Sequence, residues 1–81
     1  MPQKSFRMML GRVEAEVETL PFHDRVEAKK LLIKFKEDSD YKALIGVLKI
    51  LMRYGFKLNK EELKMLIEDV IKFLVLNNRK E

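Results

Sequence analysis

An apolar stretch in the second half of the chain constrains the fold more than any other feature of the sequence. It covers residues 41–58 and reads YKALIGVLKILMRYGFKL. Its apolar residues occupy most of the circumference of a helix, which is typical of a helix buried on nearly all sides. Asp40 or Ser39 can cap the start of this helix, and Gly55 stands where a left-handed residue commonly follows a helix end. The sequence therefore predicts a central, most buried helix over about residues 40–54.

The charged side chains of this stretch are all basic. Residues 41–57 contain four Lys or Arg and no Asp or Glu, whereas acids and bases are equal in number in the rest of the chain. The formal net charge of +4 is therefore concentrated in one segment. Lys42, Lys49 and Arg53 fall on one line along the predicted helix, together with Gly46.

Such a line of cations is a candidate contact for nucleic acid or another anion. We define the basic stripe as the four cations of the segment: Lys42, Lys49, Arg53 and Lys57. The alternative is a structural role, in which long basic side chains pass apolar neighbours to reach water. Neighbouring helices also carry many carboxylates that could neutralise the stripe.

The size and composition of the chain predict a single helical domain over residues 1–81 with a modest core. The chain has no cysteine, which excludes disulfides and thiolate metal sites and suits a reducing compartment. The start of the sequence lacks the features of a signal peptide, and its apolar runs are too short to span a membrane. We therefore expect a cytoplasmic protein. Its 37% of charged residues, mostly Lys and Glu, resemble the composition of heat-adapted proteins.

Two helices are predicted before the central one, over residues 4–20 and 22–37. The first rests on apolar residues at helical spacing: Phe6, Met9, Leu10, Val13, Val17 and Leu20. Gly11 lies within this pattern and is expected to admit a close helix approach. Asp24 and Glu27 have the spacing of a capping box at the start of the second helix, whose first residue is Pro21 in an alternative reading.

The second helix has two separate groups of apolar residues. The first group comprises Ala28, Leu31, Leu32 and Phe35. The second group comprises Phe22, Val26 and Ile33. The helix therefore either touches two neighbours in its own fold or offers one face to another chain.

The last helix is predicted over residues 59–77, followed by a frayed tail at 78–81. Asn59 and Glu62 form a variant of the capping box, and Leu58 and Leu63 fit a hydrophobic staple. The expected core face comprises Leu63, Leu66, Ile67, Val70, Ile71 and Leu74. Apolar residues beyond both core faces give a candidate surface for a protein partner: Phe22, Val26, Ile33, Met65, Phe73 and Leu76.

Sequence patterns for chemistry were tested and rejected. The acidic turn at residues 37–40 lacks the ligand spacing and the glycine of a calcium loop. Residues 53–63 resemble half of an EF-hand loop, but apolar and aromatic residues then occupy the ligand positions. A helix-turn-helix arrangement around Gly55 would turn Glu61 and Glu62 towards the DNA phosphates. The repulsion between these like charges argues against this motif. The single histidine, His23, has no nucleophile or metal partner, so we predict no catalytic, metal-binding or cofactor-binding residue.

The sequence as a whole predicts an all-α fold of four helices with mostly antiparallel neighbours. The predicted function is a non-catalytic accessory subunit that docks on a larger assembly, with a nucleic-acid-processing assembly such as a DNA replication polymerase complex favoured by the basic stripe. The alternative is a small basic DNA-binding protein, either monomeric or dimeric, that contacts phosphates through the stripe. A helical homodimer with a toxin-neutralising or regulatory role is a third hypothesis, and an enzyme is the least favoured class.

Overall fold

The computed structural model describes the backbone of residues 2–79 and the side chains of residues 6–76. It contains four α-helices and, within the described backbone, no strand. The helices are α1 (Pro2–Val17), α2 (Phe22–Asp38), α3 (Tyr41–Met52) and α4 (Lys60–Arg79). The prediction of an all-α, four-helix fold is confirmed.

The helices are divided between two compact bodies. The first body is Gly11–Lys57 and contains the second part of α1, all of α2 and all of α3. The second body contains the first part of α1, up to Leu10, and the chain from Leu58 onwards, which includes α4. The prediction of one domain over the whole chain stays a prediction.

Helix α3 is the most buried helix among the described side chains. Six of its twelve residues are buried: Ala43, Leu44, Val47, Leu48, Ile50 and Leu51. Helix α2 packs against it and buries Ala28, Leu32 and Phe35. At Gly46 an added Cβ atom would lie 3.1 Å from Leu31 Cδ1, so the missing side chain lets the two helices approach closely.

Both ends of α3 follow from local hydrogen bonding. Asp40 caps the start, because its carboxylate accepts from the backbone N–H of Lys42 at 3.0 Å. At the other end Gly55 adopts a φ of 92°, a left-handed conformation that glycine tolerates without strain. The N–H groups of Gly55 and Phe56 donate to the carbonyls of Met52 and Leu51, which is the Schellman arrangement. The regular helix therefore spans 41–52 and not 40–54, with the capping turn beyond it.

The apolar pattern of α1 is confirmed, although the helix is shorter than predicted. Five of its six predicted core residues are buried and Leu10 is half-buried. The helix ends at Val17 instead of residue 20. The N–H groups of Thr19 and Leu20 donate to carbonyls three residues earlier, and the Thr19 hydroxyl also donates to the Glu16 carbonyl at 2.7 Å. These tight turns close the helix before Pro21.

The predicted capping box of α2 is wrong. The helix begins at Phe22 with Pro21 as its N-cap, and no side chain caps its first turn. Asp24 therefore lies inside the first turn, three residues after the N-cap position. The end of α2 is at Asp38, and Ser39 follows it in a left-handed conformation.

The start of α4 was predicted correctly, but its core face was not. The Asn59 N–H donates to Glu62 Oε1 at 2.9 Å and the Glu62 N–H donates to Asn59 Oδ1 at 2.8 Å, which is the predicted capping box. Of the six expected core residues only Leu66 is buried and Val70 is half-buried. The other four are exposed: Leu63, Ile67, Ile71 and Leu74.

The cause of this error is that the apolar residues of α4 cover too wide an arc for one helix contact. Periodicity identifies residues that share a face, but it does not show which part of a wide face is covered. The helix also continues to Arg79, two residues beyond the predicted end. The remainder of the predicted tail, residues 80 and 81, lies outside the described residues.

Candidate interaction surfaces

The basic stripe is exposed along its whole length. Lys42 lies in the first turn of α3, Lys49 in its last turn, and Arg53 and Lys57 follow the helix. The line from Lys42 to Arg53 extends roughly 16 Å at the rise of an α-helix. Among the described side chains, no carboxylate forms an ion pair with any of the four cations.

Three lysines of helix α2, unlike the cations of the stripe, lie beside carboxylates. Lys29 pairs with Glu18 at 2.8 Å and Lys36 pairs with Glu14. Lys34 lies 3.8 Å from Asp40. The hydrogen bond from Lys29 lowers the pKa of the Glu18 carboxyl. Three lysines of α2 thus lie beside carboxylates within the first body, whereas the four cations of the stripe have no such partner among the described side chains.

Arg12 adds a cation beside the end of the stripe. Its guanidinium lies 4.7 Å from the centre of the Phe56 ring and donates to the Lys57 carbonyl at 2.9 Å. This contact fixes the backbone of the stripe's last residue against α1. Sequence reasoning missed Arg12, because 45 residues separate it from Lys57 and nothing local links them.

Tyr54 joins the end of α3 to the start of α2. Its hydroxyl donates to the Asp24 carboxylate, and this hydrogen bond raises the pKa of Tyr54 above its ordinary value of 10.0. A phenol held in this way fixes the turn that carries Arg53.

A second surface is an apolar ridge on the outer side of α2. We define the α2 ridge as Phe22, Val26 and Ile33, whose spacing places them on one helix face. Phe22 is 70% exposed and Ile33 is 55% exposed. The Arg25 guanidinium lies 5.7 Å from the centre of the Phe22 ring. All three ridge residues belong to the predicted partner surface.

Shallow grooves lie on both sides of the α2 ridge. One has a volume of about 440 Å³ and includes Ile33 and Leu32 of α2 together with Ala15 and Val17 of α1. The ion pairs formed by Lys29 and Lys36 stand at its edges. The other has a volume of about 330 Å³ and includes Val26, Leu31 and His23.

A third surface lies on α4. We define the α4 face as Leu63, Ile67, Ile71 and Leu74, which are between 46% and 54% exposed. Val75 and Leu76 extend it and are also exposed. Of the partner residues predicted on this helix, Leu76 is exposed, whereas Met65 and Phe73 are half-buried. The α4 face was missed because its residues had been assigned to the core.

The described residues offer few groups for chemistry. His23 is exposed. Within the part of the chain that the structure describes, no three His, Asp or Glu side chains cluster as metal ligands would. None of the described helices is long and apolar enough to cross a membrane. Comparisons with protein-family models, curated proteins and solved structures give no match for this sequence.

Proposed function

We propose that this chain is a non-catalytic accessory subunit of a larger cytoplasmic assembly and docks on its partner through the α2 ridge. The observation that carries the proposal is the exposure of Phe22, Val26 and Ile33 between two grooves. Large apolar side chains exposed together on one helix face are a common feature of protein-binding surfaces.

The charges around the ridge favour a protein segment as its occupant. Lys29 and Lys36, at the edge of the larger groove, are already paired with glutamates. A ligand therefore gains little from opposite charge there and much from burying apolar side chains. A partner helix or loop with apolar residues at its centre and neutral polar residues at its edges fits these conditions.

A pull-down from an extract of the organism's own cells tests the docking proposal. The tagged chain is compared with a Phe22→Ser/Ile33→Lys double variant and with Met8→Lys, a change at an equally exposed site on α1. We expect one stoichiometric protein that survives nuclease, is lost with the double variant and is retained by Met8→Lys. A partner that the double variant retains would contradict docking through the ridge.

Nucleic-acid binding is a second candidate function, favoured by the exposed and unpaired basic stripe. Three cations on one line of α3 and its C-cap, followed by the exposed Lys57, match a row of phosphates better than a protein surface of mixed charge. The two candidates are compatible, because a subunit of a DNA replication polymerase complex can use the ridge for its partner and the stripe for nucleic acid.

The salt dependence of binding to labelled DNA tests the second candidate. Replacing Lys49 and Arg53 by Gln is expected to reduce the slope of log affinity against log salt by roughly 0.9 per lost phosphate contact. The matched control replaces Lys29 and Lys36, which are paired with glutamates. Absence of binding at low salt, or an equal change in the control, would rule out the stripe.

A further inference from the structure

We propose that the α4 face is covered by helix α4 of a second copy of this chain, with the two helices antiparallel. The inference concerns surface that the α2 ridge does not use, and it does not depend on the proposed function. Its starting point is a face of four large aliphatic residues, each about half exposed, on a helix of twenty residues.

Four exposed apolar residues of α4 are spaced symmetrically about residue 69: Leu63, Ile67, Ile71 and Val75. A twofold axis at residue 69 places Ile67 opposite Ile71 of the second copy, and Ile71 opposite Ile67. The same axis places Leu63 opposite Val75, both of which are exposed apolar residues. This correspondence is what a twofold interface needs, because each copy must present a surface that fits itself. Leu74 falls opposite Lys64.

Shape and charge both favour the antiparallel arrangement. A shallow groove of about 280 Å³ occurs in the first half of α4, between Leu63, Ile67 and the stems of Lys60 and Lys64. An antiparallel partner brings Leu74 and Val75 of the second copy over this groove. It also brings Lys60 and Lys64 towards the negative, carbonyl end of the other helix, whereas a parallel pair would place these lysines beside their own copies.

One helix face is smaller than the standard interface of about 800 Å² per partner, so we expect a dimer that dissociates at roughly micromolar concentrations. Sedimentation equilibrium of the full chain, from about 1 μM to about 1 mM, measures this directly. We expect an Ile67→Glu/Ile71→Glu variant to weaken dimerisation at least tenfold. Ile33→Glu, at an equally exposed position on α2, is the matched control.

Cysteine cross-linking tests the antiparallel orientation of the two helices. Only the introduced cysteines can react, because the chain has no natural cysteine. We expect a mixture of Leu63→Cys and Val75→Cys chains to form a disulfide-linked heterodimer on oxidation. Leu63→Cys alone should not cross-link, because its two copies lie roughly 18 Å apart along an antiparallel pair.

Three results would overturn the inference. A wild-type chain that stays monomeric up to the highest concentration excludes the dimer. A dimer that the Ile67→Glu/Ile71→Glu variant retains excludes the α4 face. A Leu63→Cys chain that cross-links to itself excludes the antiparallel arrangement. None of these results bears on the pull-down with the α2 ridge variants, so the two proposals fail independently.

Discussion

Single residues can take roles that differ from those their local sequence indicates, and Asp24 is the clearest case. The spacing of Asp24 and Glu27 is typical of a helix start. Pro21 precedes the helix, however, and its fixed φ suits the position just before the first turn. The helix therefore starts before Asp24, and the Asp24 carboxylate accepts from the Tyr54 hydroxyl at the end of α3. One side chain thus links the start of α2 to the end of α3.

The titration of Tyr54 tests this link. In a Tyr41→Phe variant Tyr54 is the only tyrosine, so ultraviolet absorption reports its ionisation alone. We expect its pKa above 10.0, and a return towards 10.0 when Asp24→Asn is added. A raised pKa means that the neutral phenol is favoured in the folded state. Its contribution to stability is present below the ordinary pKa and is lost as the pH rises through the folded value. A Tyr54 that titrates at or below 10.0 would show that the hydrogen bond is not formed in solution.

At the scale of helices, the caps of α3 and α4 were easier to predict than the contacts between helices. The cap at Asp40, the glycine after α3 and the Asn59–Glu62 box all depend on backbone groups within a few residues. Contacts depend on distant parts of the chain, which a local pattern cannot specify. The exposed side of α4 and the contact of Arg12 with Lys57 were missed for this reason.

The basic stripe and the α2 ridge could be identified in advance because each has a local signature. The stripe is a run of charges of one sign within residues 41–57. The ridge is a second apolar group on a helix that already had a core face. The predicted role of Gly11 was wrong, since an added Cβ there would meet nothing within 4 Å. The close helix approach occurs at Gly46 instead.

Two glycine substitutions are expected to change stability in opposite directions. Gly55→Ala forces a Cβ into a φ of 92° and should destabilise the fold by about 1–2 kcal/mol. Gly11→Ala lies in an open, exposed helical position and should stabilise it by up to about 1 kcal/mol. Urea denaturation measures both free energies of unfolding. A loss of stability in Gly11→Ala would indicate a contact at this position in solution.

At the scale of the whole molecule, both charge and exposed apolar surface are unevenly distributed. A chain of 81 residues has a small core. It nevertheless leaves large apolar side chains exposed on α2 and α4. It also concentrates its net charge of +4 between residues 41 and 57. Residues that disfavour folding, such as exposed apolar side chains and clustered like charges, are typical of functional surfaces.

Lys42 offers a direct test of whether a cation of the stripe lowers the stability of the fold while it promotes anion binding. It lies in the first turn of α3, where the helix dipole disfavours a positive charge and where no acidic residue is present. We expect Lys42→Glu to stabilise the fold by about 0.3–1 kcal/mol in urea denaturation. The same change should lower the salt concentration at which the protein elutes from a heparin column, because it removes one cation of the stripe.

A second charge-reversal variant distinguishes anion binding through the basic stripe from anion binding through the net charge of the protein. Lys60 occupies the first residue of α4, so Lys60→Glu lowers the net charge by the same two units and also places an acid at a helix start. If the stripe is the anion-binding surface, Lys60→Glu should change heparin elution much less than Lys42→Glu. An equal effect of the two variants would mean that the protein binds anions through its overall charge. A Lys42→Glu variant that loses stability would show instead that Lys42 supports the fold, and that the exposed stripe is a structural feature of α3.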